Sequence, residues 1–265
     1  MLYEYYAEDV VQRHSETRPH ENRRIDQHLL QSADCAFAIP RPQPDQGLIA
    51  LLPQGSFFLK LRFSLATPYV SRDDAPRDGK NPVVVEWVYR KPIVRPTSWK
   101  GLLRFAAREA NLPSDQQLRL FGNDKEEKRD FREGRLHFFP SIFDSSPGTV
   151  IFNPHSRKTR AGTVPVTFGC VAPGNNGDFA LLYLAPFGST AEAEAKEDLR
   201  ALGRIVSDAL VGFGIGAKTR KGFGLAKPHY TCLEVWSRRG QWTISEKGDF
   251  PKFAETLAGG LDGGF

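Results

Sequence analysis

Between Ser56 and Leu65 every second residue is large and apolar: Phe57, Leu59, Leu61, Phe63 and Leu65, with Phe58, Lys60, Arg62 and Ser64 between them. Successive side chains of a strand point to opposite faces, so this alternation predicts a half-buried β-strand. Such a strand is stable only within a sheet whose apolar face is covered by a second layer. At 265 residues the chain is long enough for one full domain with decorations, or for two small ones.

Two segments have helical periodicity. Ser98 is placed to cap a helix from Trp99 to about Asn111, with Leu102, Leu103, Phe105, Ala106 and Ala110 on its apolar face and Pro113 ending it. Residues 191–213 repeat Leu199, Leu202, Ile205, Val206, Ala209, Leu210 and Phe213 at intervals of three and four. Between and after them the sequence predicts a short strand in 83–89 and another through Arg135–Phe139 and Ile142-Phe143. Val164–Phe168 and Phe179–Leu184 read as a hairpin around the turn residues 173–177, and Leu225–Val235 as a final strand. The order of strand, helix, strand, strand, helix, strand predicts an α+β fold, a ferredoxin-like (RRM-like) βαββαβ domain with insertions and a Gly-rich loop. The prolines of 39–45 argue against a packed helix there, so the expected boundaries are an N-terminal extension at 1–55, the domain at 56–235 and a peripheral C-terminal tail at 236–265.

Charge and cysteines narrow the function classes. The formal charge is +5, and the cations are clustered, which makes a polyanion a candidate partner. Cys35, Cys170 and Cys232 lie far apart and outside any zinc-ligand spacing, as expected of a reduced, cytoplasmic protein. The acidic, tyrosine-rich start does not resemble a secretory signal, and no apolar run approaches the ~18 residues of a membrane span.

The most specific chemical signal is Gly212–Gly224, in which Gly214, Gly216, Gly222 and Gly224 surround Lys218, Arg220 and Lys221. Glycines leave backbone amides unshielded and free to take positive φ, and the cations suit phosphate oxygens. Gly212–Thr219 nearly spells a P-loop, but a P-loop follows a strand and opens a helix, the reverse of the order expected here. Lys100, Arg104 and Arg108 form a basic stripe at four-residue spacing, whose mutual repulsion an anion would relieve. Each of these has a plainer reading, as a connecting turn and as a solvated helix face. Arg157, Lys158 and Arg160 make a third basic cluster beside His155, a weak candidate for a general base. Asp73, Asp74 and Asp78 are the candidate catalytic carboxylates, able to hold a divalent metal beside a scissile phosphate, although Arg72 and Arg77 allow a simple surface ion-pair cluster.

Four segments resemble the RAMP superfamily of CRISPR-associated proteins. Gly214–Gly224 is similar to the family's glycine-rich loop after the second helix. Pro96-Thr-Ser-Trp-Lys-Gly-Leu-Leu-Arg104 is similar to its helix-opening phrase, with Trp99 at the usual leucine and one small residue fewer. Leu120-Phe-Gly122 and Gly134–Phe138 also fit. Residues 151–155 and 164–168 resemble a type III-B (Cmr-like) capping subunit. The resemblance implies a type III effector subunit of antiviral defence that binds CRISPR RNA through Lys100, Arg104, Lys218, Arg220 and Lys221. Its implied partners are other effector subunits and, by extension, target RNA, with no membrane. Cleaving relatives place an aspartate two residues before Pro-Val, where this sequence has Lys80 before Pro82-Val83. Enzymatic activity is therefore secondary. No cofactor is expected unless the alternative, a metal-dependent endoribonuclease using magnesium, holds; the metal ligands would then be unknown.

Overall fold

The computed structural model describes residues 41–72, 81–123, 132–154, 162, 164–188, 191–244 and 247–262. It is a mixed α+β fold with antiparallel sheets. The principal sheet contains β1 (Phe57–Leu65), β3 (Leu136–Phe138), β7 (Asn176–Tyr183), β8 (Ala226–Ser237), β9 (Gly240–Ile244) and β10 (Gly248–Asp249). Its order is β10-β8-β1-β7-β3, with β9 also paired to β8. The alternation in β1 sorts its residues as expected: Phe57, Leu59, Leu61, Phe63 and Leu65 are all fully buried in the main core.

Two helices, α2 (Pro96–Glu109) and α4 (Ala191–Ser207), contribute to that core through Trp99, Leu103, Ala106, Leu199, Leu202 and Ile205. Helix α2 opens earlier than expected. Pro96 takes its first position, where a missing N–H costs nothing, and Ser98 sits inside the first turn without acting as its cap. Trp99 is wholly buried, donates from Nε1 to Ser141 Oγ at 3.0 Å and packs edge-on against Phe63 and Phe179.

Several elements differ from expectation. Residues 83–89 form no strand; Glu86 and Arg90 close a turn that leaves Trp87 and Val88 exposed. Only Ile93–Val94 (β2) is extended there, pairing with Ser141–Ile142 (β4). The expected hairpin of 164–168 with 179–184 does not form: β6 (Val166–Cys170) pairs with β5 (Gly148–Phe152) in a separate sheet, while β7 lies between β1 and β3. A short helix, α1 (Gln46–Ala50), capped by the Asp45 carboxylate, sits within the expected extension and buries Ile49 against Phe58 and Ala180 on the sheet's second face. The expected tail likewise joins the core: α5 (Phe253–Asp262) and the turn before it bury Phe250, Phe253 and Leu257.

Helix α3 (Ser114–Phe121) is tied to the rest through a carboxylate. Asp198 on α4 is completely buried and accepts from Arg119 Nε at 2.9 Å and Nη2 at 2.7 Å, from Gln116 at 3.0 Å and from the Tyr183 hydroxyl at 2.7 Å. These hydrogen bonds hold the Arg119 guanidinium above its ordinary pKa, against the opposing effect of burial.

Candidate nucleic-acid interface

After α4 the chain makes a π-helical turn, Asp208–Phe213, and leaves it at Gly214, whose φ of 81° and ψ of 158° suit glycine. The loop that follows is stitched to the segment after β1. Ala217 N donates to Val70 O and Gly224 N to Pro68 O, both at 2.8 Å, and Ile215 N reaches Gly224 O at 2.8 Å. A Cβ on Gly216 would lie 2.3 Å from Val70 O, and one on Gly224 would lie 2.0 Å from Ile215 O. The glycines thus serve close backbone approach. This corrects the expectation of bare amides: those of Gly214, Ile215, Ala217, Lys221, Gly222 and Gly224 already donate within the chain. The loop also offers an anion its cationic side chains. Lys218, Arg220 and Lys221 are exposed around the 3₁₀ turn Thr219–Lys221. Lys218 takes the left-handed conformation, φ 61°, and its ammonium lies 5.4 Å from the ring centre of Phe168 and 6.0 Å from that of Phe152, over the β5–β6 ribbon.

The basic stripe of α2 is placed differently. Arg104 is half-buried and donates to Phe121 O at 2.8 Å and Gly122 O at 3.1 Å, capping the C-terminal carbonyls of α3. Burial, and then the Arg104 charge, push the Lys100 ammonium below its ordinary pKa, with Glu133 acting in the opposite sense. Arg108 is exposed in the last turn, where the helix dipole favours a cation.

Another face of α2 lines a cleft of about 440 Å³ against the glycine-rich loop. Ser98, Gly101, Leu102 and Phe105, at spacings of three and four, form the helix wall; Gly214, Gly216, Ala217 and Thr219 form the opposite one. Arg72 and Arg95 also line it, both exposed, and among the described residues no carboxylate does. Arg95 stands at the N-cap of α2, whose first turn has no acidic residue and no capping side chain. In the sequence Arg95 lies outside the four-residue periodicity of the stripe and Arg72 stands beside aspartates that could pair with it, so only folding places both on one cleft. Tyr69 forms part of the floor, its hydroxyl donating to Ile93 O at 2.9 Å, and burial pushes this phenol up to about 12.

Asp73, Asp74 and Asp78, with Lys80, His155, Arg157, Lys158 and Arg160, lie outside the described residues. Among the described residues no group of three His, Cys, Asp or Glu side chains could hold a metal, and no helix is long and apolar enough to cross a membrane.

Helices α2, α3 and α4, strands β2 to β7 and the glycine-rich loop between α4 and β8 lie within residues 62–227, which match the family model of the RAMP superfamily. The chain belongs to that superfamily. No curated protein matches it. Among solved structures it is similar to a chain of the type III-B Cmr-beta bound to cognate target RNA, seen by cryo-EM, with 15% identity over 76% of this chain and 62% of that one and a TM-score of 0.47. It is also similar to a chain of a CRISPR RNA-guided surveillance complex, with 13% identity over 68% of each chain and a TM-score of 0.46. The chain spans less than two thirds of the first of these.

Proposed function

We propose that this chain is an RNA-binding subunit of a type III CRISPR effector complex in the cytoplasm, which grips the guide-RNA backbone and docks on neighbouring subunits. The observation that carries this reading is the cationic cleft: Arg72 and Arg95 line it, Arg220 and Lys221 stand exposed on the adjoining loop, and no described carboxylate lines it. Membership of the RAMP superfamily supports it. We read a ferredoxin-like unit in residues 56–235, onto which the flanking segments pack; the order β8-β1-β7-β3, with α2 following β1 and α4 following β7, supports that reading. In this role the cations meet phosphates, so binding is electrostatic, depends weakly on sequence and needs no cofactor.

Fluorescence anisotropy with labelled single-stranded RNA tests it. Affinity should fall steeply with salt, log K against log salt having a slope of about −0.7 per phosphate contact. Changing Lys218, Arg220 and Lys221 together to Ala should weaken binding and flatten the slope, with the melting temperature close to that of the parent chain. An affinity indifferent to salt would overturn the reading. The same RNA incubated with magnesium should remain uncut, whereas cleavage lost on changing Asp73, Asp74 or Asp78 to Asn would install the nuclease alternative.

A further inference from the structure

We propose that the cleft between α2 and the glycine-rich loop is a subsite for one unstacked nucleobase, which lies on the ring of Phe105 while Arg72 and Arg95 hold flanking phosphates. The inference rests on the RNA-binding reading and adds to it a base-contacting residue that phosphate recognition does not require.

Phe105 is anomalous for its helix. Its neighbours Leu103, Ala106 and Ala107 are fully buried, yet this ring is 47% exposed and lines the cleft. It is also held in place: the Phe213 ring meets it at 5.0 Å between centres and 73° between planes, an edge-to-face pair that limits its rotation. A fixed, half-exposed ring is a stacking platform ordered before the ligand arrives. The surroundings suit a flat guest. Along the same helix face Gly101 leaves open space, with nothing within 4 Å of where a Cβ would stand, and Ser98 is small; across the cleft stand Gly214 and Gly216. The volume of about 440 Å³ falls in the ~300–1,000 Å³ range of small-ligand sites. An aromatic platform flanked by two arginines is the chemistry by which proteins hold single-stranded nucleic acid: the π-face accepts any base, and the guanidinium groups take the phosphates.

The test uses the full chain, a single-stranded RNA with 2-aminopurine at successive positions, and the variants Phe105→Leu, Phe105→Ala, Phe105→Tyr and Arg95→Ala. Phe105→Leu and Phe105→Ala should each weaken binding roughly tenfold, the effect of one base–aromatic stack, with the salt slope unchanged because no phosphate contact is lost. Phe105→Tyr should restore binding. Arg95→Ala should lower both affinity and slope. At one position 2-aminopurine fluorescence should be quenched by the parent chain and much less by Phe105→Leu. Should Phe105→Ala misfold, Phe105→Leu carries the test, since it keeps an apolar side chain of similar reach. Salt-dependent RNA binding by the parent chain with unchanged affinity and quenching in Phe105→Leu overturns the stacking subsite and leaves the RNA-binding reading standing, the ring then serving a protein neighbour or none. Failure of the parent chain to bind RNA overturns both.

Discussion

Gly222 and Gly224 have nearly equal φ angles, 80° and 74°, and opposite surroundings. A Cβ on Gly222 would meet nothing within 4 Å, whereas one on Gly224 would stand 2.0 Å from Ile215 O and 2.8 Å from Ile215 N. Left-handed backbone costs a non-glycine residue about 1 kcal/mol, so Gly222→Ala should lose roughly that much stability. Gly224→Ala adds an overlap with main chain that cannot move without breaking the hydrogen bond from Ile215 to Gly224, and it should lose about 3 kcal/mol or more. Chemical denaturation of the two variants checks the difference. Equal losses would mean that strain alone, and no close approach, explains both glycines.

Among the elements, α3 depends on Arg104, which looks functional in the sequence, and on a buried polar set that does not. Arg104 caps its last carbonyls, and Arg119 and Gln116 bind it to buried Asp198. Asp198→Ala would leave the Arg119 charge without its closest partner, and removing one side of a buried pair costs about 3–5 kcal/mol. Arg104→Ala removes charged hydrogen bonds to half-buried carbonyls and should cost roughly 1–3 kcal/mol. Denaturant midpoints should fall in both variants, whereas the loop variant lacking Lys218, Arg220 and Lys221 should keep the parent midpoint. A stable Arg104→Ala protein with lost RNA affinity would return this arginine to the interface. The helix itself escaped the sequence because Gln116, one of its three buried residues, is polar, which leaves only the adjacent Leu120 and Phe121 as buried apolar positions. Gln116 is buried for the sake of Asp198, and a search for apolar periodicity passes over such a residue.

Across the whole molecule the segment after β8 is structural. Phe253 is fully buried, its ring lies 5.3 Å from that of Tyr230, and a Cβ on Gly203 of α4 would come within 2.6 Å of Ala254 Cα. Phe253→Ala should therefore cost about 3–5 kcal/mol, read from denaturation; a loss near zero would make α5 dispensable. The buried phenols give the fold an alkaline limit. Tyr69 is pushed up to about 12 by burial, and Tyr183 and Tyr230 are raised in the same sense, again chiefly by burial. Below the ordinary value of 10 both folded and unfolded chains keep these protons, so nothing is lost. As pH climbs from there through about 12, the unfolded chain releases the Tyr69 proton while the folded one holds it, and stability falls by about 1.4 kcal/mol per unit. Unfolding midpoints should stay level up to the ordinary value of 10 and fall from there to about 12, and Tyr69→Phe should blunt the fall.

Elements whose partners are written into a local period were legible in the order of residues. The alternation of β1, the apolar stripe of α4 and the glycines between α4 and β8 each follow from spacing alone, and the resemblance to the RAMP superfamily was legible in Pro96–Arg104 and Gly214–Gly224. Which strands pair is set by packing across the fold. Val166–Cys170 and Asn176–Tyr183 are neighbours in sequence and apolar enough to form a hairpin, yet β1 and β3 flank β7 while β5 claims β6. The same packing sets which cations face the cleft. Arg104 is drawn to the carbonyls of α3, while Arg72 and Arg95 line one cleft through a fold that no periodicity encodes. Local spacing sets which face of an element a residue occupies, whereas the choice between two charged or apolar neighbours is set by long-range packing, which brings distant segments together and has no local pattern in the chain.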